Sequence, residues 1–434
     1  MYFSKIMIIL FFQKRMVGLY YEYLGPTILS GFETYKYSCK DTSPLSQYVM
    51  HPFWNQVVKL CPAWVAPNLL TLVGFICCVG HFLLLTIYDY DFTAGTAPPD
   101  ISGLKDVPGG TEIPGYIWIS VAILLFLSHT LDGIDGKQAR RTGSSTPLGE
   151  LFDHGLDSWA TIFITGSLYS VFGRDLDLYS ITPFRMFCIM WNVYFCFLIS
   201  HWEKYNTGVL YLPWGYDLSM LISFLLYIAS AIGGQMMWKI KFPGDIYPGP
   251  ILQFMVYFGN LGMTLPTALY NIWKSYKEGT GKNRPFLEAM RPLVSTSLAM
   301  GFCFFWVLRS PNSIVEKDTR CVFYLTGTIF ANICCKLIIA QMSSTRSELL
   351  SGILVPVGVG CLVGGLANLS ENQELALLYS LTVVVTLIHL HYGVCVVREM
   401  CGHFRIHAFS ITSKPAATKI TDIQRLLESD EDIV

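Results

Sequence analysis

The sequence of 434 residues is 52% hydrophobic and only 14% charged, whereas soluble domains carry about 25% charged residues. This deficit excludes an ordinary soluble domain and indicates a protein that crosses a membrane several times. The net charge of −1 offers no basic surface of the kind that binding to nucleic acid requires. The thirteen cysteines lack paired metal-ligand spacing, so we interpret them as small buried hydrophobic residues.

Residues 1–60 are predicted to form a cytosolic leader and an interfacial segment. The apolar run at residues 6–12 is too short to span a bilayer, and no small-residue cleavage site follows it. Met16 is an alternative start to Met1, because the polar, tyrosine-rich sequence after it is typical of a cytosolic leader.

Ten apolar windows follow, each of about the 17–25 residues that a helix needs to cross a bilayer. They are residues 64–88, 115–131, 156–172, 184–201, 218–238, 251–273, 292–308, 321–341, 350–369 and 375–397. Only helices or closed barrels satisfy the backbone in lipid, and these runs are too long and too uniformly apolar for barrel strands. We therefore predict an all-α polytopic membrane protein with about ten transmembrane helices.

The distribution of charge favours the cytosol for both ends of the chain. Basic residues follow the second, sixth and eighth windows and recur in the tail, whereas the first and last opposite loops are mixed or acidic. The loops that contain Lys239 and Arg309 weaken this contrast. Residues 399–434 become polar and end in an acidic run, so they are predicted to be a largely disordered cytosolic tail.

Four aspartates flank the loop between the second and third windows. Asp132 and Asp135 are three residues apart, so they lie on one face of a helix. Asp153 and Asp157 are four apart and share a face in the same way. Four carboxylates that meet near the cytosolic interface repel one another unless a cation intervenes, and oxygen ligands favour Mg²⁺ or Mn²⁺. A solvated, charge-rich loop is the alternative interpretation.

Small residues and one arginine accompany these acids. Gly136 and Ala139 continue the Asp132 face, where they let a nucleotide or another helix approach closely. Gly149 gives the same clearance before the second aspartate pair. Arg140 offers a planar fork that suits phosphate oxygens. Together with a metal, these residues are typical of a site for pyrophosphate.

The spacing Asp-x2-Asp-Gly-x2-Ala-Arg-x8-Gly-x3-Asp-x3-Asp resembles the signature of the CDP-alcohol phosphotransferase family at every fixed position. Residues 51–55, 200–208 and 212–216 resemble its ethanolaminephosphotransferase branch, of the selenoprotein I type. The resemblance implies a six-helix catalytic core, here within residues 61–273, with additional transmembrane helices at residues 274–398. It also implies a homodimer.

The resemblance further implies roles for single residues. Asp132, Asp135 and Asp153 are expected to bind metal, with Asp157 as a further ligand or as the catalytic base. Asn68 and Thr71 resemble a family element that faces the nucleotide at the start of the first span. An alternative role for Asn68 is to cap a helix after Pro67.

His154 competes with Asp157 as the base, since imidazole can be neutral near pH 7. As the neighbour of Asp153 on a helix, His154 is expected to point about 100° away from the metal face, toward the lipid side. Its alternative role is to orient Asp153 or a neighbouring helix through a hydrogen bond. Glu203 is the candidate acceptor for a primary ammonium group, and an interfacial anchor paired with Lys204 is the alternative.

The reaction that the resemblance implies is attack by the sn-3 hydroxyl of diacylglycerol on the β-phosphorus of CDP-ethanolamine, at an endoplasmic reticulum or Golgi membrane. Two cations about 4 Å apart would hold the pyrophosphate. CDP-choline as the donor, alone or in a dual activity, is the nearest alternative. A divalent-cation transporter and a catalytically inactive scaffold are alternatives from other classes. Transporters carry acids near the middle of the bilayer and in repeated halves, whereas these acids cluster at one interface.

Overall fold

The computed structural model describes residues 20–96, 111–175, 179–212 and 215–411, which are mostly helical. The shorter elements are α1 (Pro26–Gly31), β1 (Cys39–Asp41), α2 (His51–Leu60), β2 (Leu210–Leu212) and α11 (Ile314–Lys317). The longer helices are α3 (Pro67–Tyr88), α4 (Gly115–Thr142), α5 (Pro147–Phe172), α6 (Pro183–Thr207), α7 (Gly215–Gly233), α8 (Pro248–Tyr257), α9 (Leu265–Glu278), α10 (Phe286–Arg309), α12 (Thr319–Met342), α13 (Leu354–Leu366) and α14 (Glu371–Phe404). The alternative start at Met16 lies outside the described residues, as does the predicted tail after residue 411. The first part of that tail was predicted wrongly as disordered, because residues 399–404 continue α14 and Ala408 accepts a hydrogen bond from Asn68.

The ten predicted windows all coincide with helical segments of the described chain. Seven helices in that part are long and apolar enough to cross a membrane, namely α3, α4, α6, α7, α10, α12 and α14. Of the other windows, one is α5, which carries the second aspartate pair, and one is the short α13. The last runs from α8 to α9 through a π-helical turn at Phe258–Thr264. The prediction of an all-α polytopic membrane protein is confirmed.

A short turn joins α4 to α5, the two helices that carry the signature. Gly143 ends α4 with a φ of 61°, a conformation that favours glycine, and its N–H donates to the Arg140 carbonyl at 3.1 Å. Thr146 caps α5, since its hydroxyl accepts a hydrogen bond from the Gly149 N–H at 3.2 Å. Pro147 supplies the fixed φ that suits the first helical position. The turn reverses the chain so that α4 and α5 both pack on α3.

Helix α12 supports the signature from within the bundle. Of the 18-residue apolar window in α12, 89% is buried, and the helix packs on α5, α6, α10 and α14. The approach to α5 is close at Gly327, where a Cβ atom would lie 2.1 Å from Ile162. Glycine at this position therefore lets the two helices meet, and α5 is held between α3 and α12.

The segment before the first membrane helix packs on the bundle. Strand β1 pairs in parallel with β2, which aligns Cys39 with Leu210. The Glu399 carboxylate, near the end of α14, accepts hydrogen bonds from the Tyr23 and Leu24 N–H groups at 3.0 and 2.6 Å. The N-terminal segment thus contacts both β2 and the C-terminal part of α14.

Candidate active site

Four carboxylates converge where α4 and α5 approach each other. Asp132, Asp135 and Asp153 each present an oxygen within 4.8 Å of the other two. Asp153, His154 and Asp157 form a second group, whose possible ligand atoms also lie within 4.8 Å of one another. The structure therefore brings together the four aspartates that the sequence singled out, from two helices joined by the turn at Gly143.

The chemistry of this cluster suits a divalent cation. Asp135 is buried, and the other three aspartates are partly buried, so repulsion between ionised carboxylates is screened less than in water. A divalent cation offsets that repulsion, and Mg²⁺ and Mn²⁺ prefer oxygen ligands. The residues present therefore fit a divalent-metal site.

Thr71 extends the cluster onto α3. Its hydroxyl donates to Asp135 Oδ2 at 2.5 Å, and the residue is buried. This hydrogen bond engages one carboxylate oxygen and so restricts how the Asp135 side chain can turn. Thr71, singled out by resemblance, thus touches a candidate metal ligand directly.

Asn68 lies one turn earlier on α3, beside the second half of the signature. Its Oδ1 is 3.5 Å from the position that a Cβ of Gly149 would take. The Asn68 amide donates to the Ala408 carbonyl at 2.9 Å, which belongs to the segment after α14. Helix α3 begins after Ala66 without a side-chain cap, so the alternative that Asn68 caps this helix is wrong.

The remaining signature residues line the same end of α4. Arg140 is exposed, Ala139 is partly buried, and a Cβ at Gly136 would lie 3.6 Å from Arg140 Nη1. Gly136 therefore lies beside the Arg140 guanidinium group, whose planar fork suits phosphate oxygens.

His154 is buried within the protein. Its Nδ1 faces Asp153 Oδ1 at 3.5 Å, and its ring lies 5.4 Å from that of His201 and 6.3 Å from that of Tyr37. The expectation that His154 points toward the lipid is wrong, because α6 and the N-terminal segment cover this face of α5.

Glu150 and Lys204 form an ion pair between α5 and α6. The Tyr35 hydroxyl donates to the same Glu150 oxygen at 2.7 Å. The Lys204 ammonium also lies 5.6 Å from the ring centroid of Tyr35 and 5.0 Å from that of Tyr37. These contacts hold the N-terminal segment over the turn of α5 that precedes Asp153.

Glu203 lies on α6 next to Lys204 but has a different neighbour. Its Oε1 accepts a hydrogen bond from the Asn271 amide of α9 at 2.7 Å, and the residue is buried. The alternative that Glu203 is an interfacial anchor paired with Lys204 is wrong, because Lys204 pairs with Glu150 on α5.

Tyr216 is a site residue that the sequence did not single out, although it ends one of the segments that carry the family resemblance. Its hydroxyl donates to Asp132 Oδ2 at 3.1 Å from the first turn of α7. The next residue, Asp217, contacts His129 of α4 and Ser46. Hydroxyl groups therefore reach the aspartates of α4 from α3 on one side and from α7 on another.

A small cavity lies beside two of the aspartates. Its polar wall includes Asp132, Asp157 and Tyr216, and its apolar wall includes Phe75 and Met220. A molecule with a polar head and an apolar body matches this lining, because its hydroxyl would meet carboxylates while its chains meet hydrocarbon. The lining therefore combines the polar and apolar groups that a lipid alcohol would contact.

Comparison with known proteins points to one family. Residues 64–242 match the family model described as CDP-alcohol phosphatidyltransferase. The chain is 47% identical over 393 residues to mouse ethanolaminephosphotransferase 1, which covers 90% of this chain and 95% of that protein. The human ethanolaminephosphotransferase 1 is 46% identical over 391 residues, with the same coverage of 90% and 95%. Choline/ethanolaminephosphotransferase 1 of Arabidopsis thaliana is 28% identical over 421 residues, which covers 91% of this chain and all of that protein.

Proposed function

The chain belongs to the CDP-alcohol phosphatidyltransferase family, and we propose that it transfers phosphoethanolamine from CDP-ethanolamine to diacylglycerol. The products are phosphatidylethanolamine and CMP. The observation that carries this proposal is the convergence of four aspartates, two of which, Asp132 and Asp157, line a small cavity together with apolar side chains. A water-soluble nucleotide and a lipid alcohol can meet at such a site.

The proposed step forms one bond and breaks one. The acceptor hydroxyl oxygen bonds to the β-phosphorus of CDP-ethanolamine, the bond from that phosphorus to the bridging oxygen breaks, and CMP leaves with the electron pair. Divalent cations, proposed to be two Mg²⁺ or Mn²⁺, would offset the charge of the pyrophosphate. Asp132, Asp135 and Asp153 would hold these cations, and Asp157 would complete the set.

The other signature residues act on the nucleotide and its phosphates. Arg140 is proposed to bind phosphate oxygens, and Gly136, Ala139 and Gly149 leave space for the donor. Asn68 and Thr71 are proposed to face the nucleotide, with Thr71 also fixing the orientation of Asp135.

His154 is proposed to take the proton from the acceptor hydroxyl, directly or as an assistant to Asp157. Its Nδ1 faces Asp153, and its Nε2 has no hydrogen-bond partner among the described residues. A neutral imidazole that donates from Nδ1 keeps Nε2 as the proton acceptor. This tautomer would place the ring proton on the side of Asp153 Oδ1, which lies 3.5 Å from Nδ1.

The orientation and assembly follow from the charge pattern and the family. We propose that the acids face the cytosol, since basic residues such as Lys137 and Arg141 lie beside them. We further propose a location in the endoplasmic reticulum or Golgi membrane and a homodimer, as the family resemblance implies.

The donor headgroup and the metal site are tested in one assay. Membranes from a host that lacks its own ethanolamine and choline phosphotransferases receive labelled CDP-ethanolamine or CDP-choline. We expect phosphatidylethanolamine to be the main product, with loss of activity in EDTA and recovery with Mg²⁺ or Mn²⁺. Equal or greater use of CDP-choline would favour a cholinephosphotransferase or a dual enzyme instead.

Variants complete that assay. Asp132→Asn and Asp153→Asn should abolish turnover while the protein is still expressed in the membrane. Asp245→Asn is the matched control, because Asp245 is an exposed acid that pairs with Lys241. Full activity of the parent in excess chelator, or of either signature variant, would overturn the site assignment.

A further inference from the structure

We propose that Tyr216 is a positioning residue that orients Asp132 for metal binding, and that Asp217 and His129 fix Tyr216 in place. This inference rests on the proposed metal site. It assigns part of that site to α7, outside the signature sequence, and to contacts that the signature does not encode.

The first contact joins Tyr216 to the candidate ligand. The Tyr216 hydroxyl donates to Asp132 Oδ2 at 3.1 Å, across from α7 to α4. A carboxylate has two oxygens, and a hydroxyl held at one of them limits rotation of the group. The other oxygen is thereby directed in one orientation, and the bound oxygen keeps an acceptor lone pair.

The second contact fixes the first turn of α7. Asp217 Oδ1 lies 2.8 Å from His129 Nε2, and the Ser46 hydroxyl donates to Asp217 Oδ2. Both Asp217 and His129 are buried. Because both Asp217 oxygens are engaged from different parts of the chain, the start of α7 cannot turn without breaking two contacts.

Helix α4 therefore supplies both the candidate metal ligand Asp132 and His129, which holds Asp217 and Tyr216 in place. His129 and Asp132 are three residues apart, so they share one face of α4. The His129 ring also packs edge-to-face with Tyr216, with centroids 5.6 Å apart, and with Trp54, with centroids 5.4 Å apart. Tyr216 is thus held by a ring contact as well as through its neighbour Asp217.

Outer contacts of this kind usually matter for metal affinity. Loss of a hydrogen bond to a metal ligand typically costs about 10–100-fold in metal affinity or activity. Tyr216→Phe removes only the hydroxyl and keeps the ring that packs on His129. We therefore expect weaker metal binding with little change in the fold.

The test measures metal binding apart from catalysis. Mn²⁺ is titrated into purified full-length protein in lipid nanodiscs, and the free ion is followed by electron paramagnetic resonance. Tyr216→Phe should weaken Mn²⁺ binding by about 10–100-fold, and turnover should recover most of its maximum when Mn²⁺ is raised to saturation. Tyr227→Phe is the matched control on the same helix, since the Tyr227 ring is buried against Trp118 and lies outside the site. It should bind Mn²⁺ like the parent.

Asp217→Asn is a second variant, used if the melting temperature of Tyr216→Phe shows that it folds poorly. It should weaken Mn²⁺ binding in the same direction, and combining it with Tyr216→Phe should add little. If the parent binds Mn²⁺ no better than Asp132→Asn, the metal site itself is wrong. The metal site stands, but the positioning role is wrong, if Asp132→Asn loses Mn²⁺ binding while Tyr216→Phe folds and binds Mn²⁺ like the parent. Asp217→Asn is read in the same way if Tyr216→Phe does not fold.

Discussion

The Lys204 ammonium and the Glu150 carboxylate form an ion pair in which the two side chains are only 2% and 6% exposed. The pair joins α6 to α5 one turn before Asp153. Tyr35 from the N-terminal segment donates to the same carboxylate oxygen. A pair this deeply buried depends on both partners, because either charge alone would remain in a poorly solvated place.

We expect Lys204→Met to destabilise the protein by about 3–5 kcal/mol, since it leaves the Glu150 charge buried without its partner. The double variant Lys204→Met/Glu150→Gln should recover much of that loss. Thermal unfolding in detergent, followed by the fluorescence of the buried tryptophans, measures both. Lys241→Met is the control, because the Lys241–Asp245 pair is exposed, and it should leave the melting temperature unchanged. A double variant as unstable as the single one would contradict this account.

Gly133 provides a steric prediction beside Asp132. A Cβ at residue 133 would lie 2.2 Å from Trp54 Cε2, which is closer than packed atoms allow. Gly133→Ala should therefore displace Trp54 or bend α4, at a cost of about 1–3 kcal/mol in stability. Turnover should fall with it, because Asp132 is the adjacent residue.

The matched control for that prediction is Gly301→Ala on α10, where the added Cβ meets nothing within 4 Å. It should be neutral or stabilising by about 0.5–1 kcal/mol, as alanine favours a helix over glycine. Melting temperatures of the two variants in the same detergent make the comparison. Equal changes in melting temperature for the two variants would mean that Trp54 does not prevent a larger side chain at residue 133.

The roles of His154 and Asp157 separate when binding and turnover are measured side by side. His154→Ala should keep binding of CDP-ethanolamine and lose about 10²–10⁴-fold in rate, the usual contribution of a positioned base. Asp157→Asn should lose metal-dependent binding as well as turnover. If Asp157→Asn binds the nucleotide normally but is inactive, while His154→Ala is near normal, the two roles are reversed.

Glu203 is tested through headgroup preference. A primary ammonium donates hydrogen bonds, whereas a quaternary one favours aromatic faces, and the Asn271 amide already holds one Glu203 oxygen. We expect Glu203→Gln to raise the ratio of CDP-choline to CDP-ethanolamine use in a competition assay. Glu278→Gln on α9 is the control at an exposed position. An unchanged ratio at normal total activity would remove Glu203 from the headgroup site.

Local sequence predicted the parts of the site that depend on helical spacing. Asp132, Asp135, Asp153 and Asp157 converge because their spacing places each pair on one face, and this follows from the sequence alone. The direction of the His154 side chain could not be predicted from the sequence, because it depends on how α6 and the N-terminal segment pack on α5.

Contacts between distant residues were not predictable from periodicity. Tyr216 meets Asp132 across 84 residues of sequence, and Tyr35 meets Glu150 across 115. No local sequence pattern identifies such a pair, because the pattern around each residue reflects only the structure of its own segment. Packing of the whole bundle determines which hydroxyl reaches which carboxylate.

The hydrogen bond from Asn68 to Ala408 has a consequence for biosynthesis. The two residues are 340 positions apart, so a ribosome must deliver nearly the entire chain before they can meet. Domains generally fold in order of synthesis, and here the signature helices are made well before the segment that contains Ala408. A nascent chain that has inserted only its first helices would therefore have the aspartates but not the carbonyl that accepts the Asn68 hydrogen bond. If Asn68 faces the nucleotide as proposed, its side chain would be held in place only after α14 and the segment that follows it have been made.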